Sequence, residues 1–293
     1  MATLNRRTWL RSSAAALALA SCPRGSRAAP AAEPSPRFRI GACDWSLGRR
    51  QTPEAFGVAR EIGLDGVEVS FGEPGADHDL RDPAVRERYQ QTAAETGVQI
   101  ASLAMGLLNN HPYATDPRTE AWVAQVIEVM PLVDVRVCLL AFFGAGDIQG
   151  DRDKQDEVIR RLQRVAPRAE ALGVVLGIES WMNADEHLRI LDAVDSPAVQ
   201  VYYDVANMTT RGYDVPAEIR QLGAERICQF HMKENGYLLG QGEVDYPGVR
   251  EAIDEIDYSG WLIIEGATVG GRSLVDCYRH NLAFLQELFD LTG

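Results

Sequence analysis

Four apolar runs in the second half of the chain each end at an ionisable residue. A short apolar run bounded by loop residues is typical of a parallel strand that is buried on both faces. The residue that follows such a run lies at the carboxyl end of the strand, where α/β proteins place their chemistry. The runs and the residues that end them are Val174–Ile178 before Glu179, Val199–Tyr203 before Asp204, Ile227–Phe230 before His231, and Trp261–Ile264 before Glu265.

Strand and helix patterns alternate from Phe38 to the end of the chain, and we count eight strand–helix repeats. A single (β/α)8 barrel typically has ~250 residues. The predicted fold class is therefore α/β, with one (β/α)8 TIM barrel over residues 38–293. A doubly wound sheet is the alternative, but it would usually need a glycine-rich phosphate turn after the first strand. The segment Gly41-Ala42-Cys43-Asp44 is not such a turn.

In a barrel, the four ionisable residues that end these runs would meet at one rim, because they come from strands five to eight. Neighbouring strands lie about 4.8 Å apart, so four adjacent strand ends can reach one ion. Carboxylate oxygens and an imidazole nitrogen suit a hard or borderline divalent metal. A single carboxylate at a strand end is more often a helix cap or an ion-pair partner, but four in consecutive strands predict a metal site.

Short motifs surround these strand ends and extend into neighbouring turns. They are Leu176–Glu179, Tyr203-Asp204, Phe230–Glu234, Ile264–Gly266, the Gly240–Tyr246 turn after the seventh strand, and Gly63–Glu68 at the second strand. Together they resemble the sugar phosphate isomerase/epimerase family, which belongs to the xylose isomerase-like barrel superfamily. The resemblance extends over the chain from about Phe38. Because this superfamily hosts several chemistries, the resemblance indicates the fold and the metal more strongly than the reaction.

The resemblance implies an enzyme that uses one divalent metal ion, with Mn²⁺ the first expectation and Mg²⁺, Co²⁺ or Zn²⁺ the alternatives. It implies that the metal ligands are Glu179, Asp204, His231 and Glu265. Glu179 and Glu265 would also form the catalytic pair. One would remove a proton from a carbon next to a carbonyl, and the other would return it on the opposite face. The expected function is a sugar or keto-sugar isomerase or epimerase that works through a metal-stabilised enediolate.

Asn207 departs from the pattern of the epimerases, which usually carry a histidine three residues after the sixth-strand aspartate. An amide can bind a hydroxyl but cannot exchange protons near neutral pH. The substrate or the reaction can therefore differ. One alternative is a lyase or dehydratase that acts by β-elimination on a 3-keto-glycoside or an inosose-like substrate. A second is a non-catalytic sugar-binding barrel. A three-zinc endonuclease site is disfavoured because histidines are few, and we expect His187 and His280 to lie on helix surfaces.

Five further residues are candidates for contact with substrate. Glu68 ends the second strand, and its alternative role is a structural ion pair. His111 follows the third strand and could line the mouth. Trp181 lies two residues after Glu179 and could form an apolar wall against a sugar, or pack under a loop. Asn207 could bind a hydroxyl, and Lys233 could bind a hydroxyl, a carboxylate or a phosphate, or pair with the next residue.

Residues 1–37 have the composition of a signal peptide and tether. The Arg6–Leu10 segment resembles a twin-arginine export signal and precedes the short apolar run Ala14–Ala20. These features predict export to the periplasm or the cell envelope. The sequence before Cys22 also resembles a lipoprotein cleavage box, which would leave Cys22 as a lipid anchor; the alternative is ordinary cleavage near Ala28–Ala32.

The charge of the chain argues against a nucleic-acid partner. The net charge is −13, and the first 37 residues hold six Arg and one Glu, a balance of +5, so the remainder carries −13 minus 5, or −18. A domain this acidic would repel a phosphate backbone. The expected partner is a small-molecule carbohydrate, and an oligomer is compatible with the sequence.

Overall fold

The computed structural model describes residues 36–291, which form a closed barrel of eight parallel strands. Each strand pairs with its neighbours in chain order, and the first strand pairs with the last. The predicted (β/α)8 fold is thereby confirmed, and the doubly wound sheet is excluded. The strands are β1 Phe38–Cys43, β2 Gly66–Ser70, β3 Gln99–Met105, β4 Val137–Phe142, β5 Val175–Ser180, β6 Val199–Asp204, β7 Ile227–Glu234 and β8 Gly260–Gly266.

Helices follow the strands and cover the outside of the barrel. They are α1 Glu54–Ile62, α2 Pro83–Thr96, α3 Arg118–Val129, α4 Arg152–Leu172, α5 Ala184–Val194, α6 Val205–Thr210, α7 Val215–Leu222, α8 Tyr246–Glu255 and α9 Leu274–Leu288. Short 3-10 turns occupy Gly106–Asn109, Met130–Val133 and Gly144–Gly146. Among residues 36–291, no helix has the length and apolar character that a membrane span requires.

The ends of α2 illustrate how local sequence sets these boundaries. The side chain of Asp82 accepts a hydrogen bond of 2.8 Å from the backbone N–H of Ala84 and caps the first turn. Pro83 begins the helix, where its missing N–H costs nothing. Gly97 ends it with φ of 73°, a left-handed conformation that a residue with a side chain adopts only at a cost.

The interior of the barrel is a packed core rather than a channel. Gly66 in β2 leaves room for Trp261 in β8, since a Cβ on Gly66 would lie 2.6 Å from the indole. Gly177 in β5 leaves room for Tyr202 in β6 in the same way, with 3.0 Å between the two Cβ positions. Large side chains therefore fill the barrel below its carboxyl rim.

The register of the last strands brings the predicted site residues to the same level. Asp204 of β6 is the pairing partner of His231 in β7. Two residues further along β7, Lys233 is the pairing partner of Glu265 in β8. Because side chains alternate along a strand, His231 and Lys233 lie on the same face of β7. The short helix α6, which the sequence did not predict, begins immediately after Asp204.

Candidate metal centre and active-site cavity

The structure brings Glu179, Asp204, His231 and Glu265 together at the carboxyl rim of the barrel. One ligand atom from each residue lies within 4.8 Å of the others. The Nδ1 atom of His231 lies 2.8 Å from Glu179 Oε1 and 3.5 Å from Glu265 Oε2. This grouping has the spacing of a first coordination sphere, and the side chains that form it are buried or nearly so.

Asp204 is oriented by the helix that it caps. Its Oδ1 accepts hydrogen bonds of 2.9 Å from the backbone N–H groups of both Ala206 and Asn207, at the start of α6. Its Oδ2 is buried and accepts no hydrogen bond within residues 36–291, although Lys233 Nζ lies 3.4 Å away. A buried carboxylate oxygen without a donor is costly, and a cation would satisfy it. With two glutamates and an imidazole nearby, this oxygen completes a set of donors that fits a divalent metal ion.

Glu68 contacts the Nε2 side of the His231 imidazole. The Nε2 atom of His231 lies 3.0 Å from Glu68 Oε1, which leaves Nδ1 facing the carboxylates. Glu68 also accepts hydrogen bonds from Ser102 Oγ at 2.6 Å and from Tyr202 OH at 2.8 Å. Second-sphere carboxylates of this kind fix the tautomer and the orientation of a ligating imidazole.

This arrangement corrects the prediction that Glu68 contacts substrate. Its side chain has no exposed surface, since His231, Ser102 and Tyr202 enclose it inside the barrel. A sugar at the rim would meet His231 before it could reach Glu68. The sequence located Glu68 correctly at the end of β2, but it could not show that the neighbouring strands cover it.

The two predicted catalytic glutamates differ in their affinity for a proton. Burial raises the pKa of Glu179 to about 7, although His231 lowers it in part. Burial also acts to raise the pKa of Glu265, but the charges of His231 and Lys233 and the hydrogen bonds from Lys233 and Trp45 outweigh it and lower the pKa to about 2. Burial acts to lower the pKa of His231, but Cys43 and the neighbouring carboxylates of Glu179, Glu265 and Glu68 outweigh it and hold the pKa well above the usual range. Without a bound metal ion, Glu265 is therefore ionised near neutral pH, whereas Glu179 can carry a proton.

Lys233 lies among the metal-ligand candidates and not apart from them. Its Nζ is 2.9 Å from Glu265 Oε2 and 3.4 Å from Asp204 Oδ2. The alternative prediction, a pair between Lys233 and Glu234, is wrong. Glu234 instead accepts weak hydrogen bonds of 3.3 Å and 3.2 Å from the backbone N–H groups of Gly242 and Glu243 in the turn after β7.

A cavity of about 510 Å³ opens above these residues. Three of the predicted substrate contacts, Trp181, Asn207 and Lys233, line it. Trp45 also lines it, and its Nε1 donates a hydrogen bond of 2.9 Å to Glu265 Oε1. The remaining lining residues are Arg50, Gly106, Asn109, Asn110, Leu139, Ala141, Phe143, Glu179 and Glu265.

His111 is not part of the cavity wall, which corrects the prediction that it lines the mouth. Its Nε2 lies 3.2 Å from Glu73 Oε1, and its Nδ1 accepts a hydrogen bond of 2.9 Å from Arg118. Its ring packs edge-on against Trp122, with 5.4 Å between the centroids. The preceding residues of the same loop, Asn109 and Asn110, face the cavity in its place. The sequence could identify the loop that lines the cavity, but it could not show which residues of that loop face it.

His187 is a second correction, because it is buried rather than on a helix surface. Only 1% of the residue is exposed, and its Nε2 lies 3.1 Å from Ser180 Oγ. Its Nδ1 lies 3.1 Å from the carbonyl of Asn183. Burial lowers the pKa of His187 to about 4. It is a structural residue behind β5 and outside the cavity.

The family is identified by a match between residues 56–288 and the model of the xylose isomerase-like TIM barrel. The chain belongs to the xylose isomerase-like TIM barrel family. The resemblance seen in the strand-end motifs is thereby confirmed.

Similar proteins include several xylose isomerase-like barrels of known name. A 2-epi-5-epi-valiolone 7-phosphate 2-epimerase from Actinoplanes sp. is 26% identical over 225 residues, which cover 73% of this chain and 80% of the relative. A 3-oxo-isoapionate decarboxylase from Pectobacterium atrosepticum is 26% identical over 187 residues, 58% of this chain and 62% of the relative. The crystal structure of a D-psicose 3-epimerase in the presence of D-fructose aligns with a TM-score of 0.72 at 17% identity, over 86% of this chain and 99% of the other. This last likeness shows a shared fold.

Proposed function

We propose that the protein is a divalent-metal-dependent epimerase or isomerase of a sugar or keto-sugar. The observation that carries this proposal is the meeting of Glu179, Asp204, His231 and Glu265 within 4.8 Å of one another beneath an open cavity. The names of the relatives support the same reaction class, since they include a cyclitol phosphate epimerase at 26% identity. Manganese is the metal we propose, and magnesium, cobalt and zinc suit the same donors.

The chain supplies two carboxylates at the rim, Glu179 and Glu265, as a two-base epimerisation needs. Ionised Glu265 is suited to accept the proton from the carbon next to the carbonyl. Glu179, in its protonated form, would deliver a proton to the other face. A divalent ion held by the four ligands would supply Lewis-acid stabilisation of the negative charge that develops on the substrate oxygens. Lys233 and Trp45, which both donate to Glu265, hold that carboxylate in place.

Solvent deuterium tests this proposal directly. We expect the manganese-loaded protein to incorporate deuterium from D2O at the carbon next to the carbonyl of a keto-sugar, together with inversion at that carbon. Prior removal of the metal with a chelator, followed by its replacement, should abolish and then restore the exchange. Exchange that is absent for every keto-sugar of a broad panel, or that continues at full rate after chelation, would contradict the proposal.

Elimination on a 3-keto-glycoside or an inosose-like substrate is the second candidate function. Asn207 favours it, because this amide lines the cavity where a proton-exchanging histidine is usual in the epimerases. The decarboxylase relative also fits, because loss of CO2 from a 3-oxo acid and β-elimination both pass through an enolate. Release of an aglycone or of water, without return of the proton, distinguishes this function from epimerisation. A non-catalytic sugar-binding barrel is disfavoured by the intact set of four ligands.

We also propose that residues 1–37 direct export to the cell envelope, with ordinary cleavage near Ala28–Ala32 and a lipid anchor at Cys22 as the alternative. The support is the sequence alone, since residues 1–35 lie outside the described part of the chain. Mass spectrometry of the mature protein tests both points. A mature chain that begins at an acylated Cys22 supports the anchor, and a chain that begins near Ala28–Ala32 contradicts it while supporting export.

A further inference from the structure

Arg50 is a cation in the cavity wall that forms no ion pair with any residue in the 36–291 range. The other lysine or arginine of the wall, Lys233, is already engaged by Glu265 at 2.9 Å and Asp204 at 3.4 Å. The two carboxylates that line the cavity, Glu179 and Glu265, are likewise occupied by His231, Lys233 and Trp45. Of the two basic side chains in this wall, Arg50 is therefore the one whose positive charge has no acidic partner in the described part of the chain and is available to a ligand.

The loop that carries Arg50 is anchored on both sides by Asp44, which is fully buried. The backbone N–H of Arg49 donates to the carbonyl of Asp44 at 2.9 Å, and the N–H of Gln51 donates to Asp44 Oδ2 at 2.8 Å. Ser70 fixes the same carboxylate, with its backbone N–H at 2.8 Å and its hydroxyl at 2.7 Å. Arg50 thus projects from a preorganised turn, which lowers the entropy lost when it binds a ligand.

The guanidinium of Arg50 lies on the indole of Trp45, 5.5 Å from the ring centroid. The same indole donates from its edge to Glu265 at 2.9 Å. One tryptophan therefore separates the carboxylates of the metal centre from the guanidinium. A substrate of sugar size could reach both ends of a cavity of about 510 Å³.

Two amide side chains, those of Asn109 and Asn110, line the same cavity as Arg50. Asn109 accepts a hydrogen bond of 2.9 Å from the backbone N–H of Phe143 through its Oδ1, which leaves its NH2 group as the donor toward the cavity. Asn110 lines the same wall, and Gly106 leaves space beside the guanidinium. A guanidinium with neighbouring amide donors is the chemistry that recognises a carboxylate or a phosphate.

We propose that the substrate of this enzyme is anionic, and that Arg50, with Asn109 and Asn110, binds its carboxylate or phosphate group. The proposal rests on the proposed function for the reacting end of the substrate, which faces Glu179 and Glu265. It adds the substrate class, a sugar acid or a sugar phosphate in place of a neutral sugar.

Arg211 provides a matched control. Its guanidinium lies 4.3 Å from the ring centroid of Trp181, another tryptophan of the cavity, and it forms no ion pair within the described chain. Arg211 is exposed, as Arg50 is, but it is not part of the cavity wall. Arg50→Gln and Arg211→Gln therefore each remove a guanidinium stacked on an indole, but only Arg50→Gln removes a charge from the cavity.

Calorimetry on the manganese-loaded protein tests the inference with three ligands that differ at one carbon: D-fructose, D-fructose 6-phosphate and D-fructuronate. We expect at least one anion to bind roughly tenfold or more tightly than fructose, the gain typical of charge-assisted hydrogen bonds. Arg50→Gln should remove that preference and leave the Kd of fructose unchanged, whereas Arg211→Gln should retain the preference. The anion that shows the Arg50-dependent gain identifies the group as carboxylate or phosphate.

Three results would overturn the inference: fructose binding as tightly as both anions, Arg50→Gln weakening all three ligands alike, or Arg211→Gln acting as Arg50→Gln does. The last two would indicate that Arg50 only supports the packing of Trp45. Because calorimetry measures binding and not proton exchange, a preference for anions without any deuterium incorporation would reject the proposed reaction and keep the inference. Deuterium incorporation without a preference for anions would support the proposed reaction and reject the inference.

Discussion

Glu68 gives the sharpest test of how this site is built, because sequence and structure assign it different roles. Inside the barrel, Glu68 contacts His231 at 3.0 Å and accepts hydrogen bonds from Tyr202 at 2.8 Å, Ser102 at 2.6 Å and the thiol of Cys43 at 3.6 Å. With a metal on Nδ1 of His231, the proton of the ring must lie on Nε2, where Glu68 accepts it. Glu68→Gln keeps the size of the side chain but removes its charge and one of its two acceptor oxygens.

The expected loss follows from this role. Removing a second-sphere partner typically weakens metal binding by about 10- to 100-fold, which corresponds to about 1.4–2.7 kcal/mol. At a metal concentration far above both Kd values, the stabilisation by metal falls by the same amount. For a domain of this size, about 1 kcal/mol shifts the Tm by 2–4 °C. The metal-induced rise in Tm should therefore shrink by about 3–11 °C.

The assay is differential scanning calorimetry with and without manganese, together with a direct titration of the metal. Glu218→Gln is the matched control, because Glu218 is also buried and accepts from a tyrosine, Tyr203, at 3.0 Å, but lies outside the cavity. It should lower the Tm of both forms and leave the metal-induced rise unchanged. If Glu68→Gln binds manganese as the wild type does and instead raises the KM for the sugar, then Glu68 contacts substrate and our interpretation is wrong.

Three further predictions concern catalysis, acid stability and the metal. Glu265→Gln should keep the fold and the circular dichroism spectrum but lower kcat by about 10²–10⁴-fold, the range for loss of a general base; a rate within a few fold of wild type would exclude Glu265 as the base. The pKa of His187 is about 4 in the folded protein and 6.5 ordinarily, so the unfolded chain binds more protons between these values and stability must fall as pH falls through this window. This loss amounts to about 3 kcal/mol, and urea unfolding from pH 7 to pH 4 should show a shallower decline for His187→Gln; an unchanged decline would contradict the assignment. Chelation should lower the Tm by about 5–11 °C when the metal had been present at about 100 times its Kd, and an indifferent Tm would argue against a bound metal.

The barrel and the grouping of its last four strand ends were predictable because they depend on periodic features of the sequence. An apolar run fixes a buried strand, and parallel pairing fixes the rim at which its carboxyl end lies. Asp204 and His231 meet because their strands pair in that register. No knowledge of side-chain packing was needed for this inference.

The errors came from positions where the surrounding packing decides the role. Glu68 lies in a strand near its carboxyl end, as Glu179 does. However, Ser102 and Tyr202 cover Glu68, so that it does not face solvent. His111 and Asn110 are neighbours in one loop, and only the geometry of the 3-10 turn decides that the asparagine faces the cavity. Arg50 gave no signal in the sequence, because an arginine in a loop is usually a solvated surface residue.

The proposed metal ligands come from β5 to β8, whereas the guanidinium of Arg50 and the amides of Asn109 and Asn110 come from the loops after β1 and β3. Mutations at these three loop positions can therefore alter which molecules are accepted while the proposed metal ligands, which the second half of the gene encodes, stay unchanged. Directed evolution of this scaffold toward new sugars should accordingly begin with libraries at residues 50, 109 and 110, where diversity can be explored without sacrificing turnover.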